Sequence, residues 1–276
     1  MKKVKTFIDG DILVYKIASA LEEAIDWGDD WWGLYADLKS AKQHLEESLW
    51  TLRKEVRATY SRTYTGDNFY QLDFKIVLSD SDKNWRKSVL PTYKHNRQGK
   101  RKPVLWNPLR KYLIDEHNAI IWPSLEADDV IGILASRNSI IVSDDKDFKT
   151  IPCLLYQPTS HNFTKVTKRT AEKAHLYQTL VGDSADGYKG CPGVGAVGAQ
   201  RILQQGAWHE VLSAYHRAGL GFDDAILQAR VAHILNHHKE YKKLGARVRL
   251  WHPCYLGKLY GSPWSEDFKT QYVKAY

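Results

Sequence analysis

The sequence predicts an α/β fold, with a mostly parallel central sheet flanked by helices and a helical subdomain after it. In the first half of the chain, short apolar segments of strand length alternate with helical patterns. From about residue 170 the pattern is mainly helical. Acidic residues follow the successive predicted strands. This alternation is typical of a parallel sheet covered on both faces, and ligands bind such sheets at the carboxyl ends of the strands.

Residues 1–165 are predicted to form the α/β core. The apolar run at 4–9 ends in an Asp-Gly pair, which indicates a buried strand and a turn. Ser124 is a suitable N-cap for the helix that follows it. The Trp-rich segment 27–32 is expected to be a loop whose side chains pack against the protein. The predicted strands are 4–9, 74–78, 119–122 and 140–143, and the predicted helices are 11–25, 33–57, 107–117 and 123–135.

Residues 166–276 are predicted to form the helical subdomain, joined to the core without a flexible break. A glycine-dense stretch at 187–198 separates its first two helices. The predicted helices of this part are 171–182, 196–205, 207–217, 223–237 and 238–246.

The composition excludes several classes of protein. Hydrophobic residues make up 43% of the 276 residues, and no apolar run approaches the roughly 18 residues of a membrane span. Asp9 and Asp11 interrupt the N-terminal apolar stretch, which argues against an export signal. The three cysteines are far apart and form no CxxC pair, so neither a disulfide framework nor a thiolate zinc site is indicated. We therefore expect a cytoplasmic protein with no membrane partner.

One segment, residues 83–111, concentrates the positive charge. The chain has a net charge of +8, and this segment carries +10 with no acidic residue, so the remainder carries −2. A solvated surface usually mixes both signs, so we interpret the segment as a surface for phosphate groups. Its basic residues are Lys83, Arg86, Lys87, Lys94, Arg97, Lys100, Arg101, Lys102, Arg110 and Lys111.

Acidic residues gather where the predicted strands and one helix end. Each group alone has a structural explanation, because acids are favoured in the first turn of a helix and in polar loops. Together they would repel one another unless a cation lay among them. Mg²⁺ or Mn²⁺ prefers carboxylate and water oxygens, and two such ions support phosphodiester hydrolysis. These acids are Asp9, Asp80, Asp82, Glu126, Asp128, Asp129, Asp144, Asp145, Asp147, Asp183 and Asp186.

The glycine-dense stretch contains a GxGxxG match at Gly193, Gly195 and Gly198. A dinucleotide site requires a strand before this motif, whereas here a polar turn precedes it and helices follow. We therefore exclude a nucleotide cofactor, and the absence of a Walker A sequence disfavours an NTPase. A helix–loop–helix remains, in which glycine N–H groups approach DNA phosphates. A purely structural loop is the alternative.

Six motifs occur along about residues 5–205 in a fixed order. They are Phe7-Ile-Asp-Gly10, the Asp80 turn with Trp85-Arg86, Tyr93-Lys94 with Arg97, Glu126-Ala-Asp-Asp129, Ser143-Asp-Asp-Lys-Asp147, and Gly182-Asp-Ser-Ala-Asp186 running into Pro192-Gly-Val-Gly195. The ordered set resembles the flap-endonuclease-like 5′ nuclease superfamily, particularly its phage and bacterial 5′→3′ exonucleases. This resemblance implies a PIN-like core and a metal-dependent 5′→3′ exonuclease or structure-specific flap endonuclease. The enzyme would act on DNA in phage or bacterial replication, repair or recombination, within a bacterial or phage-infected cell.

The resemblance also implies a role for each matching residue. A first Mg²⁺ or Mn²⁺ ion would be held by Asp9, Asp80, Glu126 and Asp128, with Asp129 alongside. A second ion would be held or oriented by Asp145, Asp147, Asp183 and Asp186. The scissile phosphate and a threaded strand would be contacted, in an arch over the site, by Lys94, Arg97, Tyr93 and Arg86. Duplex DNA would be gripped by a helix–hairpin–helix-type loop, which can carry K⁺, at Gly193, Gly195 and Gly198. Independently of the resemblance, the charge of the basic segment leads us to expect DNA contacts from Lys83, Lys87, Lys100, Arg101 and Lys102.

Several alternatives stay open at this point. The second motif reads Leu-Ser-Asp-Ser-Asp, so Asp80 is our choice of ligand and Asp82 its rival. The fourth motif carries an additional acid, Asp144. A PIN-like ribonuclease and an inactive DNA-binding module are the competing functions. The chain length and the glycine loop argue against the first, and the retained carboxylates argue against the second. We expect DNA with 5′ ends, flaps or duplex as the partner, and any replication protein would act in trans.

Overall fold

The described strands of the computed structural model form one larger sheet and two small ones. The structure describes residues 2–65, 70–80, 83–204, 206–253 and 272–274. The strands are β1 (Lys2–Asp9), β2 (Glu23–Asp26), β3 (Trp32–Tyr35), β4 (Tyr70–Val77), β5 (Ile140–Val142), β6 (Cys153–Gln157), β7 (Asn162–Val166), β8 (Tyr241–Lys242), β9 (Arg247–Arg249) and β10 (Tyr272–Lys274). The larger sheet has the order β4-β1-β5-β6-β7, with β7 antiparallel to β6 and the other pairs parallel.

Helices cover the larger sheet and build the second half of the chain. They are α1 (Gly10–Ala20), α2 (Leu38–Tyr60), α3 (Arg86–Val89), α4 (Trp106–His117), α5 (Ala127–Leu134), α6 (Lys168–Val181), α7 (Ala196–Ile202), α8 (Trp208–Arg217) and α9 (Phe222–Ala232). Within the described ranges, none of them is long and apolar enough to cross a membrane.

The predicted parallel sheet is confirmed, but one predicted strand is wrong. The segment at 119–122 makes a single parallel bridge, between Ile120 and Val77, in place of a ladder. Pro123 has no N–H to donate, and Ser124 adopts a left-handed φ of 62°, so the chain turns away from the sheet. β5 pairs with β1 on one side and on the other with β6, which was not among the predicted strands.

Residues at the end of β1 show how the sheet separates two packed layers. Phe7 and Ile8 point to opposite faces, because successive strand residues alternate. Ile8 lies in a core built with α1, α2 and α4, and Phe7 lies in a core built with α5 and residues 234–250. Both side chains are almost fully buried. Asp9 is therefore presented at the end of a strand that is fixed from both sides.

The second half of the chain packs its helices around a core of its own. Leu176 and Leu180 of α6 meet Val211 and Tyr215 of α8 in this core, which confirms the mainly helical pattern. The predicted helix at 238–246 is wrong. It is replaced by a short 3₁₀ turn and the strands β8 and β9, of which Tyr241 and Val248 pack into the core of the sheet. The boundary at residues 165 and 166 stays a prediction.

The segment between α1 and α2 also departs from expectation. The helix predicted over 11–25 ends at Ala20, and β2 pairs with β3 in a hairpin. The helix expected from residue 33 begins after Asp37, whose side chain accepts a hydrogen bond of 2.6 Å from the amide of Ser40, as an N-cap does. The expected packing of the Trp-rich segment is wrong, because Trp27, Trp31 and Trp32 are exposed.

Candidate functional site

Asp9 caps the first helix at the carboxyl end of β1. Its Oδ1 accepts hydrogen bonds from the backbone N–H groups of Asp11 and Ile12, at 3.1 and 3.4 Å. Burial raises the pKa of Asp9 to about 7; the Ile12 amide opposes this rise, Asp145 adds to it, and Lys94 opposes it. The fold therefore holds this carboxylate in a place that disfavours its charge.

Asp128 lies in the first turn of α5 and interacts electrostatically with Asp9 and Asp145. Burial raises the pKa of Asp128 well above its ordinary value, and Asp9, Asp145 and Glu126 raise it further. Carboxylates that perturb one another in this way are close in space. The structure thus brings together residues from the ends of β1 and β5 and from the start of α5, as the sequence predicts.

Asp145 and Asp147 follow β5 and start a 3₁₀ turn. The side chain of Asp145 accepts a hydrogen bond of 2.9 Å from the backbone N–H of Asp147. Burial raises the pKa of Asp147 to about 7, and Asp145 and Asp186 raise it further. Gln178 donates a hydrogen bond of 2.6 Å to Asp147 Oδ1. Gln178 was not predicted as part of the site, and no motif in its helix marks it.

Glu126 precedes α5 and is held by cations from the basic segment. Burial alone would raise the pKa of Glu126, but Lys94 and Arg86 together lower it to about 2. The Nζ of Lys94 forms a salt bridge with Glu126 Oε1, and the hydroxyl of Tyr93 donates a hydrogen bond of 3.0 Å to Glu126 Oε2. Part of the basic segment therefore reaches the acidic cluster.

Asp186 joins the end of α6 to the same basic residues. Arg97 Nη2 lies 2.7 Å from Asp186 Oδ1, and Lys94 Nζ lies 3.6 Å from Asp186 Oδ2. Tyr93 donates to Asp186 Oδ2 at 2.9 Å. The neighbouring Asp183 is paired with Lys146, 2.7 Å away. The predicted second group of acids is thus arranged around Lys94, Arg97 and Lys146.

Arg86 and Asp129 occupy a different place from the one predicted. Both are buried, and the Arg86 guanidinium forms two hydrogen bonds of 2.8 Å with the Asp129 carboxylate. Asp129 also accepts a hydrogen bond of 2.9 Å from the indole N–H of Trp85. A side chain held on all sides in the interior does not lie in an open arch, so the predicted phosphate contact of Arg86 does not fit its position.

Asp80 lies beyond the end of β4 but is engaged by the backbone. Its Oδ2 accepts a hydrogen bond of 2.7 Å from the amide of Ser124, and its own N–H donates to the carbonyl of Leu125 at 2.8 Å. The role of Asp80 as a metal ligand stays a prediction. Its rival Asp82 lies outside the described residues.

Two further acids near the cluster have structural partners. Asp11 forms a salt bridge with Arg110 and accepts a hydrogen bond of 2.8 Å from the amide of Ser79. Asp144, the additional acid of the fourth motif, accepts hydrogen bonds of 2.9 and 2.8 Å from the backbone and hydroxyl of Thr159. These contacts explain why the two acids stand beside the cluster without belonging to it.

The remaining predicted DNA contacts in the basic segment are exposed. Arg101 is tied to Glu22, with Nη1 2.8 Å from Oε2. The ammonium of Lys102 lies 4.7 Å from the ring centroid of Trp106. The structure leaves all five of these predicted contacts on the surface: Lys83, Lys87, Lys100, Arg101 and Lys102.

The glycine loop leads into α7 with its backbone open to the surroundings. A methyl group added at Gly193 or Gly195 would meet no atom within 4 Å, and one at Gly198 would touch only Val194, at 3.7 Å. Gly193 has a φ of +73°, which L side chains rarely adopt. The roles of Gly193, Gly195 and Gly198 in binding DNA or K⁺ stay predictions.

The acidic cluster has the chemistry of a site for hard cations. Its donors are carboxylate oxygens, which Mg²⁺ and Mn²⁺ prefer. Burial is the main cause of the raised pKa values of Asp9, Asp128 and Asp147, and the neighbouring acids raise these values further. Within the described ranges no three His, Cys, Asp or Glu side chains converge as a ready metal-binding group. A cation would therefore draw the carboxylates closer together.

Proteins of known activity are similar to this chain. No family model matches it. The exodeoxyribonuclease of Enterobacteria phage T3 is 32% identical over 290 residues, which cover 89% of this chain and 92% of that protein. The exonuclease of Escherichia phage T7 is 31% identical with the same coverage. The flap endonuclease Xni of Shewanella pealeana is 32% identical over 146 residues, or 46% of this chain and 57% of that protein.

One solved structure extends the likeness to the fold. The T5 D15 protein, co-crystallised with metal ions, aligns with a TM-score of 0.51 and 14% identity, over 84% of this chain and 93% of that one. At this identity the likeness shows the fold alone, and it agrees with the mostly parallel sheet flanked by helices.

Proposed function

Since the chain belongs to the flap-endonuclease-like 5′ nuclease superfamily, we propose that its acidic cluster is the catalytic centre of a metal-dependent DNA nuclease. The chain is a 5′→3′ exodeoxyribonuclease or flap endonuclease, and its reaction is the hydrolysis of phosphodiester bonds. We further propose DNA with 5′ ends or flaps as its substrate and the cytoplasm of a bacterial or phage-infected cell as its setting.

One observation carries the assignment of the centre. Acids that follow β1 and β5 and begin α5, far apart in sequence, lie together at the carboxyl end of the sheet, where burial raises their pKa values and their mutual repulsion raises them further. A protein gains no stability from such repulsion, so the cluster is best explained by the cations and phosphate that it serves. Lys94 and Arg97 lie against the same acids, where a phosphate would need compensating charge.

The donor set divides into two groups. A first Mg²⁺ or Mn²⁺ ion would be held by Asp9, Glu126 and Asp128, and a second would be held or oriented by Asp145, Asp147, Asp183 and Asp186. When bound, these ions supply Lewis acidity toward the scissile phosphate and its leaving oxygen. Asp80 remains a candidate for the first group through the motif that it occupies.

Lys94 and Arg97 would neutralise and orient the scissile phosphate. Lys94 and Arg97 form ion pairs with Glu126 and Asp186. Once metal ions bind these carboxylates, the two side chains would be free to form ion pairs with the phosphate. The Tyr93 hydroxyl donates to the same two acids, so it is placed to fix their orientation. Hydrogen bonds and charges fixed before the reaction stabilise the transition state without reorganisation.

The glycine loop would grip the duplex away from the cut. Its open backbone, with space around Gly193 and Gly195, allows N–H groups to approach a phosphate closely. The exposed lysines of the basic segment would add contacts that do not depend on base sequence. K⁺ at this loop is part of the proposal only through the family resemblance.

Cleavage of a DNA duplex with a short labelled 5′ flap, in Mg²⁺ and in excess EDTA, tests the proposed function. We expect short 5′-labelled products with Mg²⁺ and none with EDTA, and their length distinguishes mononucleotide removal from flap cutting. Binding without cleavage in either Mg²⁺ or Mn²⁺ would identify a DNA-binding module. Cleavage of RNA in preference to DNA would support the ribonuclease alternative.

A further inference from the structure

The hairpin of β2 and β3 exposes large aromatic side chains on a small, separate sheet. Trp27, Trp31 and Trp32 are 72%, 75% and 66% exposed. Tyr35 is also exposed, at 54%. A two-stranded hairpin is marginally stable by itself, and clustered exposed aromatics are typical of a binding surface.

The same hairpin is acidic. Residues 22–37, which we name the acidic hairpin, contain six acids and no Lys, Arg or His, so they carry −6 while the remainder of the chain carries +14. Such a surface repels the phosphates of a nucleic acid. Its occupant should therefore be basic and should offer groups that pack against indole rings.

The acidic hairpin is held in one conformation. Gly28 N–H donates to Asp26 Oδ1 at 2.9 Å, and the backbone of Trp27 donates to the carbonyl of Trp31 at 2.8 Å. At its base, Glu22 accepts hydrogen bonds from Arg101 and from the amide of Val104, the latter at 2.6 Å. A surface fixed in this way loses little conformational entropy on binding.

A surface of the required chemistry lies on α2. Trp50, Arg53, Lys54 and Arg57 follow the spacing of one helical face, and we name them the basic strip. Trp50 is 63% exposed, and Lys54 Nζ lies 4.9 Å from the centroid of its ring. The strip thus offers an indole ring and cations side by side.

Two cations of the basic strip lack a salt bridge within the described residues, although Glu46 acts on Arg53 and Asp73 lines the same cleft as Arg53 and Arg57. In the described part of the chain, no carboxylate lies within salt-bridge distance of Lys54 or Arg57, and the buried Nε of Arg53 has no hydrogen-bond partner. Arg53 and Arg57 also line a cleft of about 270 Å³ together with Lys3. These donors suit carboxylates and indole faces.

We propose that the acidic hairpin of one molecule docks on the basic strip of a second copy of this chain. Within one molecule, Trp50 lies 12 residues beyond the start of α2, or about 18 Å along the helix axis from the base of the acidic hairpin. Because the two surfaces differ, the contact is head-to-tail. Carboxylates would pair with Lys54 and Arg57, and indole rings would stack on these cations.

Sedimentation velocity of the full chain at several concentrations, in about 50 mM and 500 mM salt, tests this contact. We expect the wild type to associate at low salt and to be monomeric at high salt, because salt screens charge pairs at a surface. A hairpin variant, Trp31→Ser/Trp32→Ser, and a strip variant, Lys54→Glu/Arg57→Glu, should each be monomeric at low salt. Lys165→Glu/Arg169→Glu is the control, because it makes the same change of charge on exposed residues elsewhere.

Mixing the two variants is the decisive measurement. Each keeps one intact surface, so an equimolar mixture should form a one-to-one dimer that neither variant forms alone. Unchanged flap cleavage and thermal unfolding would show that both variants are folded. A wild type that stays monomeric at low salt, or a mixture that does not associate, would overturn the proposal. So would quenching of hairpin tryptophan fluorescence by oligothymidylate, which would assign the hairpin to single-stranded DNA.

Discussion

The guanidinium of Arg86 and the carboxylate of Asp129 form a buried bidentate pair, with Nη1 and Nη2 each 2.8 Å from a carboxylate oxygen. The same guanidinium donates to the backbone carbonyls of Val231 and His233, at 3.0 and 2.7 Å. The pair therefore joins the start of the basic segment and α5 to the end of α9. It fixes the helix that presents Asp128, and the same guanidinium also donates to Glu126 Oε2 at 3.0 Å, at the buried side of the cluster.

We predict that Arg86→Ala destabilises the protein by about 3–5 kcal/mol, because it leaves the Asp129 charge buried without its partner. Urea unfolding monitored by circular dichroism measures the change. Arg101→Ala is the matched control, since it removes an exposed arginine paired with Glu22, and a solvent-exposed ion pair contributes far less to stability than a buried one. Equal losses for the two variants would contradict the assignment of Arg86 as an internal tie.

The acidic cluster predicts a pH-dependent cost of folding without metal. The pKa of Asp147 is about 7 in the folded protein and near its ordinary value in the unfolded chain. Between these two pKa values the folded state binds more protons than the unfolded state, so the free energy of unfolding falls as the pH rises across this range. Asp147→Asn should therefore stabilise the protein in EDTA more at pH 8 than at pH 5. A gain that shrinks as the pH rises, measured by urea unfolding, would contradict this.

Lys94 should act mainly on the chemical step. Lys94→Met removes the charge that faces Glu126 and Asp186, and we expect kcat for flap cleavage to fall about 10²–10³-fold, as for loss of one preorganised donor. Binding of the uncleaved flap in Ca²⁺ should weaken far less. Lys100→Met, on the exposed part of the same segment, is the control. A loss of affinity with unchanged kcat would place Lys94 in binding alone.

The glycine loop offers a matched pair of substitutions. Gly195 and Gly221 are both N-caps with similar extended backbone, at φ −90° and −105°, and neither would place a methyl group against another residue closer than 3.9 Å. Gly195→Ala should weaken duplex binding about tenfold, or roughly 1.4 kcal/mol, by holding phosphates away from the backbone. Gly221→Ala should leave the Kd for the duplex unchanged. Equal affinities for both variants would remove the loop from the interface.

The strands β1, β4 and β5 of the larger sheet and the acids at its carboxyl edge could be predicted, because residues adjacent in sequence identify them. The apolar run that ends at Asp9 marks both a strand and a proposed ligand position, and the order of motifs along the chain marks the family. By contrast, the segment at 119–122 has a strand-like composition, but Pro123 and the left-handed Ser124 end its pairing after a single bridge. That outcome depends on the path of the chain beyond the segment.

The partners of single side chains could not be predicted, because they come from distant elements. Asp129 stands beside Asp128 in one motif, yet a single residue step on α5 turns it inward to Arg86, whereas Asp128 faces Asp9 and Asp145. The Trp-rich segment was expected to pack, since apolar residues usually do. Its exposure follows from a hairpin that has only two strands.

Cleavage of the labelled flap by Asp128→Asn/Asp147→Asn tests the central claim most directly. Asp144→Asn is the matched control, because Asp144 lies in the same loop as Asp147 but is bound to Thr159, away from the cluster. We predict that the double variant loses Mg²⁺-dependent cleavage while still binding the flap, and that Asp144→Asn cuts at a rate close to that of the wild type. Full activity in the double variant would contradict the assignment of the cluster as the catalytic centre.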